Sequence, residues 1–70
     1  MFHRGDKVKT LKEITVWGEK IPVGTVMEVV YHHTLKERVT VESVDLVWID
    51  SEGNEEECWL FPKDLELFRR

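Results

Sequence analysis

Catalysis needs a nucleophile, a proton shuttle or a metal, and the chain offers few residues for any of these. His32 and His33 are adjacent. Successive residues of a strand face opposite ways, so the pair does not readily hold one ion. At a strand end they would need His3 and Cys58 as further ligands. Structural or solvated histidines are the expected reading, with titration near neutral pH their one other physical possibility. Cys58 follows Glu55-Glu56-Glu57. Neighbouring carboxylates raise a thiol's pKa, so it reads as a small core hydrophobe and a poor nucleophile. Ser43 and Ser51 have no local base, and the glutamate run reads as a solvated hairpin face rather than an acid–base pair. No glycine-rich phosphate loop occurs. The expectation is a non-enzyme with no catalytic residue, metal, cofactor or small-molecule substrate.

Recognition chemistry is better represented. Trp17, Trp48 and Trp59 are the three tryptophans. Trp48 and Trp59 flank a turn on neighbouring strands, where the core is the default place for both. Trp17 lies between Val16 and Gly18 in a loop and is the candidate for exposure. Exposed tryptophan is frequent at interface hot spots. Trp17, with Tyr31 or Trp48 beside it, would form an aromatic contact patch. Charge is segregated as well: from Glu42 to Glu66 there are nine acids and one base, within a chain of net charge −4. Glu52, Glu55, Glu56 and Glu57 make an acidic hairpin suited to a protein with a basic surface, because complementary charge speeds encounter and selects partners. A second grouping is basic: Arg4, Lys7, Lys9 and Lys12 near the start, and Arg69-Arg70 at the end.

The elements that must position these residues are short strands, since no helical period persists for ten residues. Residues 7–11 alternate after the turn-like Gly5-Asp6. Residues 12–22, with Trp17-Gly18 and Ile21-Pro22, read as a long loop or irregular hairpin. Residues 24–31 form the clearest strand, with Met27, Val29 and Tyr31 on the deeper face and Val26, Glu28 and Val30 opposite. Residues 34–44 are either an extra hairpin arm or an ordered loop. Residues 45–50 are a second confident strand, turning at 50–54 where Gly53 is suited to positive φ. Residues 55–61 return antiparallel, with Glu56, Cys58 and Leu60 on one face and Glu57, Trp59 and Phe61 on the other. Pro62-Lys63-Asp64-Leu65 suits one 3₁₀ turn, and residues 66–68 a last strand.

Seventy residues allow one domain, spanning 1–70. A chain of this size buries roughly 60% of its unfolded surface, enough for one small core but not for a deep active site. No apolar run approaches a membrane span, and the start lacks the apolar region of a secretory signal. A lone cysteine excludes an internal disulfide framework and fits a reducing compartment, so a cytoplasmic location without membrane contact is expected.

The order of five strands, a long first loop, a tight third turn and a 3₁₀ turn before the last strand resembles the SH3-like small β-barrel. The resemblance spans Gly5 to Phe68 and rests on Gly5-Asp6-Lys7-Val8, Val23-Gly24-Thr25-Val26 and Phe61-Pro62-Lys63-Asp64-Leu65-Glu66-Leu67. The paired tryptophans and Pro-x-x-Tyr of peptide-binding signalling SH3 domains are missing, so proline-rich ligands are not implied. The opening and closing motifs look more like bacterial SH3-like barrels. These include KOW-type modules and small accessory proteins of photosynthetic electron transfer, found in photosystem I and as the variable chain of ferredoxin:thioredoxin reductase. Those relatives bind RNA or proteins. The resemblance implies an interaction surface bordering the first long loop, and pairing of the first and last strands. The resulting expectation is a protein-interaction or regulatory module, of the kind formed by small accessory subunits or phage- and plasmid-encoded effectors. The alternative is a KOW-type nucleic-acid binder using Arg4, Lys7, Lys9, Lys12, Arg69 and Arg70.

Overall fold

A computed structural model describes residues 2–34 and 41–69. Among the described residues seven strands and one 3₁₀ turn follow one another: β1 (Lys7–Thr10), β2 (Ile14–Val16), β3 (Glu19–Ile21), β4 (Val26–His33), β5 (Ser43–Ile49), β6 (Glu55–Leu60), the 3₁₀ turn Pro62–Asp64 and β7 (Leu65–Leu67). Five of them form one antiparallel sheet in the order β6-β5-β4-β1-β7, while β2 and β3 form a separate hairpin. The fold is all-β, and the two sheets do not close into a barrel. The expected pairing of first and last strands is present: Val8 sits opposite Leu67 and Thr10 opposite Leu65.

Alternation builds one core between the five-stranded sheet and the hairpin. Val8, Met27, Val29, Val44, Leu46, Trp48, Leu60 and Leu65 turn inward from the sheet, and Ile21 caps them from the hairpin. Ile14, Val16 and Cys58 pack against this cluster from its margin. Thr10 is the one polar residue deep in the β1 end. Its hydroxyl donates to the Pro22 carbonyl at 3.0 Å and accepts from the Thr25 N–H at 3.1 Å, which satisfies a buried group and pins β1 to the turn before β4. At the β5–β6 turn one Asp50 carboxylate oxygen accepts the N–H groups of Glu52 and Asn54, each at 2.9 Å, and Gly53 takes φ +83° as the turn demands.

Two expectations change. The register of β4 against β5 shifts between Val29 and Tyr31, so one residue is bulged. A bulge puts two consecutive residues on the same side. Val30 and Tyr31 are therefore both exposed, and His32 takes the inward place expected for Tyr31. Trp59, expected in the core, stands outside at 59% exposure, whereas Trp48 on the next strand is 8% exposed. The cause is parity: Trp48 opposes Glu56, on the half-buried face of β6, and Trp59 opposes Asp45, on the outward face of β5. Of residues 34–44, those from 35 to 40 lie outside the described residues, as does Arg70.

Candidate interaction groove

The hairpin β2–β3 turns on two residues, Trp17-Gly18, with Val16 opposite Glu19. Both central residues have positive φ, +53° for Trp17 and +76° for Gly18. That is the requirement of a type I′ turn, whose favoured first residue is Asn or Asp. Tryptophan in this backbone region is strained by roughly 1–2 kcal/mol. The two-residue turn places the Trp17 indole at the hairpin tip, 89% exposed.

The hairpin's tip and first strand face the outer margin of β6 across a groove of about 570 Å³. Its walls are Ile14, Thr15, Val16 and Trp17 on one side, and Cys58, Trp59, Leu60 and Phe61 on the other, with two acids and two bases, Glu13, Asp64, Lys12 and Lys63, at its end. Trp59 and Phe61 meet edge to face at 5.5 Å between ring centroids, and the Lys63 ammonium lies 5.7 Å from the Phe61 ring centre. A smaller cleft of about 300 Å³ adjoins it, also bordered by Trp17 and Trp59, with Val30, Asp45 and Glu57. The aromatic partner of Trp17 in these walls is thus Trp59. Trp48 lies in the core, and Tyr31 stands on the outer face of β4, edge to face with His33 at 4.5 Å.

Sequence reasoning missed Trp59 and Phe61 as exposed residues. The signal was available in the alternation of β6, which already put both on the face of Glu57. It was overridden by the tendency of large aromatics to bury.

The acidic residues divide between the two faces of β6 and the turn before it. Glu55 and Glu57 point outward from β6, Glu56 is half-buried, and Glu52 occupies the turn. None of the four forms an ion pair among the described residues. The basic grouping differs. Lys7 is bonded to Glu28 on β4, Lys9 to Glu66 on β7 at 3.8 Å, and Lys12 to Asp64 at 3.4 Å. Arg4 and Arg69 are exposed at either end of this stripe.

The histidines point to opposite sides of β4, and each has its own carboxylate. Buried His32 accepts the Phe2 N–H on Nδ1 at 2.9 Å, and its Nε2 lies 2.6 Å from Glu42. Accepting at Nδ1 fixes the Nε2–H tautomer, which then donates to Glu42. His33 Nε2 lies 2.7 Å from Asp45. No group of three His, Cys, Asp or Glu side chains among the described residues converges as a metal ion requires. Burial, followed by the Asp45 charge, pushes the Cys58 thiol from 9.0 up to about 11. That makes it a weak nucleophile at neutral pH. No helix among the described residues is long and apolar enough to cross a membrane.

Compared with protein-family models, curated proteins and solved structures, the chain matches none of them.

Proposed function

We propose that the protein is a non-enzymatic interaction module that docks a basic segment of another protein in the groove between β2 and β6. One observation carries this reading. Trp17, Trp59 and Phe61, three exposed aromatic side chains, border one groove, and Glu57, which has no ion pair among the described residues, lines the cleft that adjoins it. Contiguous exposed aromatic surface on a small domain marks a binding face. A strained tryptophan at its lip is the kind of local cost that a functional position carries. A lysine or arginine entering the smaller cleft would meet two indole walls together with Glu57 and Asp45. Cation–π attraction and charge pairing then act on the same group. The strand order β6-β5-β4-β1-β7, the 3₁₀ turn and the β1–β7 pairing support an open variant of the SH3-like architecture. The nucleic-acid alternative would draw on Arg4, Lys7, Lys9, Lys12, Arg69 and Arg70. Three of its lysines are already neutralised by carboxylates of the same chain.

The test is selection from a random peptide display library with the full chain as bait. Lys- and Arg-rich sequences should be enriched, and their binding should fall about tenfold or more in Trp59→Ser and in the double variant Glu55→Gln/Glu57→Gln. Enrichment of neutral sequences, or binding indifferent to these substitutions, would refute the reading.

A further inference from the structure

We infer that the basic partner segment binds as an added β-strand along the free edge of β6, a mode that rests on the docking reading above. Among the described residues β6, six residues long, pairs with β5 alone, and β2 with β3 alone. No strand among the described residues occupies the outer edge of either, and the last three residues of β6, Cys58, Trp59 and Leu60, line the same groove as β2. A strand edge presents a row of backbone N–H and C=O groups ready to pair with another chain. An extended segment in this groove would take up those of β6 at the usual spacing of about 4.8 Å, with β2 as the opposite wall.

The other edge of the sheet does not compete. β7 is three residues long, Glu66 is engaged by Lys9, and of the outward-facing backbone N–H groups that of Leu65 already donates to the Pro62 carbonyl.

Charge selects the occupant. Two copies of β6 placed edge to edge would crowd Glu55, Glu56 and Glu57 of both chains along one seam, which disfavours a second copy of this protein. A basic strand meets the same three carboxylates as partners. Alternation then divides its side chains into two sets. Those on the outward face stand beside Glu55, Glu57 and Trp59, where lysine or arginine forms cross-strand pairs. Those on the inward face stand beside half-buried Glu56 and beside Cys58 and Leu60, where small apolar residues fit next to the last two. The expected ligand therefore alternates basic and apolar residues over about six positions, the length of β6.

An N-methyl scan of a display-selected basic peptide tests this against the intact protein. Methylating a backbone nitrogen removes one donor and leaves the side chain in place. Affinity should fall about tenfold at alternate positions and stay within about twofold at those between, since only alternate N–H groups face the edge. Amide hydrogens of β6 should gain protection from exchange in the same alternating pattern. If every methylated peptide binds equally, or losses show no alternation, while Trp59→Ser still abolishes binding, the segment docks through side chains alone. Strand addition is then wrong although the docking reading stands. If no basic peptide binds, both fall. Self-association of the chain through β6 in sedimentation experiments, broken by a Trp59→Lys substitution, would also overturn the assignment to a basic partner.

Discussion

The two edges of the five-stranded sheet are finished in opposite ways. At the β1–β7 edge the last strand is short, and its charges are spent within the molecule: Lys7 on Glu28, Lys9 on Glu66, Lys12 on Asp64. At the β6 edge the strand is twice as long. Its glutamates have no ion pair among the described residues, and two aromatic rings stand exposed beside an open groove. Total charge does not reveal this difference. A stripe of lysines with carboxylates at hand is a solvated, self-neutral surface. A glutamate hairpin beside exposed tryptophan leaves its charge and its apolar area open to solvent among the described residues.

The comparison can be broken most sharply by truncating the two neighbouring tryptophans. Trp48→Ala should cost about 3–5 kcal/mol, a large share of the roughly 4–10 kcal/mol available to a domain of this size. Trp59→Ala should cost less than about 1 kcal/mol, since its indole is more than half exposed. Denaturant unfolding of both variants measures the contrast. Equal losses would mean that Trp59 is part of the core after all.

Cys58 sharpens the description of the groove's inner margin. A thiol raised from 9.0 to about 11 holds about 100-fold less thiolate at pH 8. Alkylation of the folded protein at pH 8 should be slower by about that factor than in denaturant, where the pKa is ordinary. The sign for stability follows. Below pH 9 both states keep the proton and the thiol leaves stability unchanged. Between pH 9 and about 11 the unfolded thiol ionises first, so stability falls, and above that range it levels. Fast alkylation at pH 8 would place Cys58 outside the packed margin.

Trp17→Asn tests the strain at the hairpin tip. Asparagine tolerates positive φ in a type I′ turn, so stability should rise by up to about 1 kcal/mol while peptide binding falls. A loss of stability would show that the indole contributes packing rather than strain. The smallest effect belongs to the opposite edge. Lys9→Gln should change stability by less than about 1 kcal/mol, as expected of an exposed ion pair, and leave peptide binding unchanged.

Much of this architecture was legible in the chain. Alternation placed Met27 and Val29 inward, and separated Glu56, Cys58 and Leu60 on one face of β6 from Glu57, Trp59 and Phe61 on the other. Asp50 and Gly53 announced the turn, and Pro62 the 3₁₀ segment. Three features were not legible. The β4 bulge moves Tyr31 outward, and nothing local marks it, because the bulge is a property of the β4–β5 register. The Trp17-Gly18 turn carries no Asn or Asp to signal type I′. The neutralisation of Lys7, Lys9 and Lys12 depends on cross-strand neighbours far away in sequence. The candidate site was half legible: Trp17 and the glutamates were readable. Trp59 holds the place beside Trp17 expected of Trp48 or Tyr31, because β6 was read by the burial tendency of aromatics rather than by its own parity.

Docking at the β6 edge, and not at the β1–β7 edge, is what separates the two. The most direct measurement is an amide and indole NMR titration of the whole chain with a display-selected basic peptide. The account predicts shifts at Glu55 to Phe61, at Ile14 to Trp17, and at the Trp17 and Trp59 indole N–H groups, with Lys7, Lys9 and Glu66 unmoved. Shifts centred on Lys7, Lys9, Glu66 and Arg69 instead would contradict it.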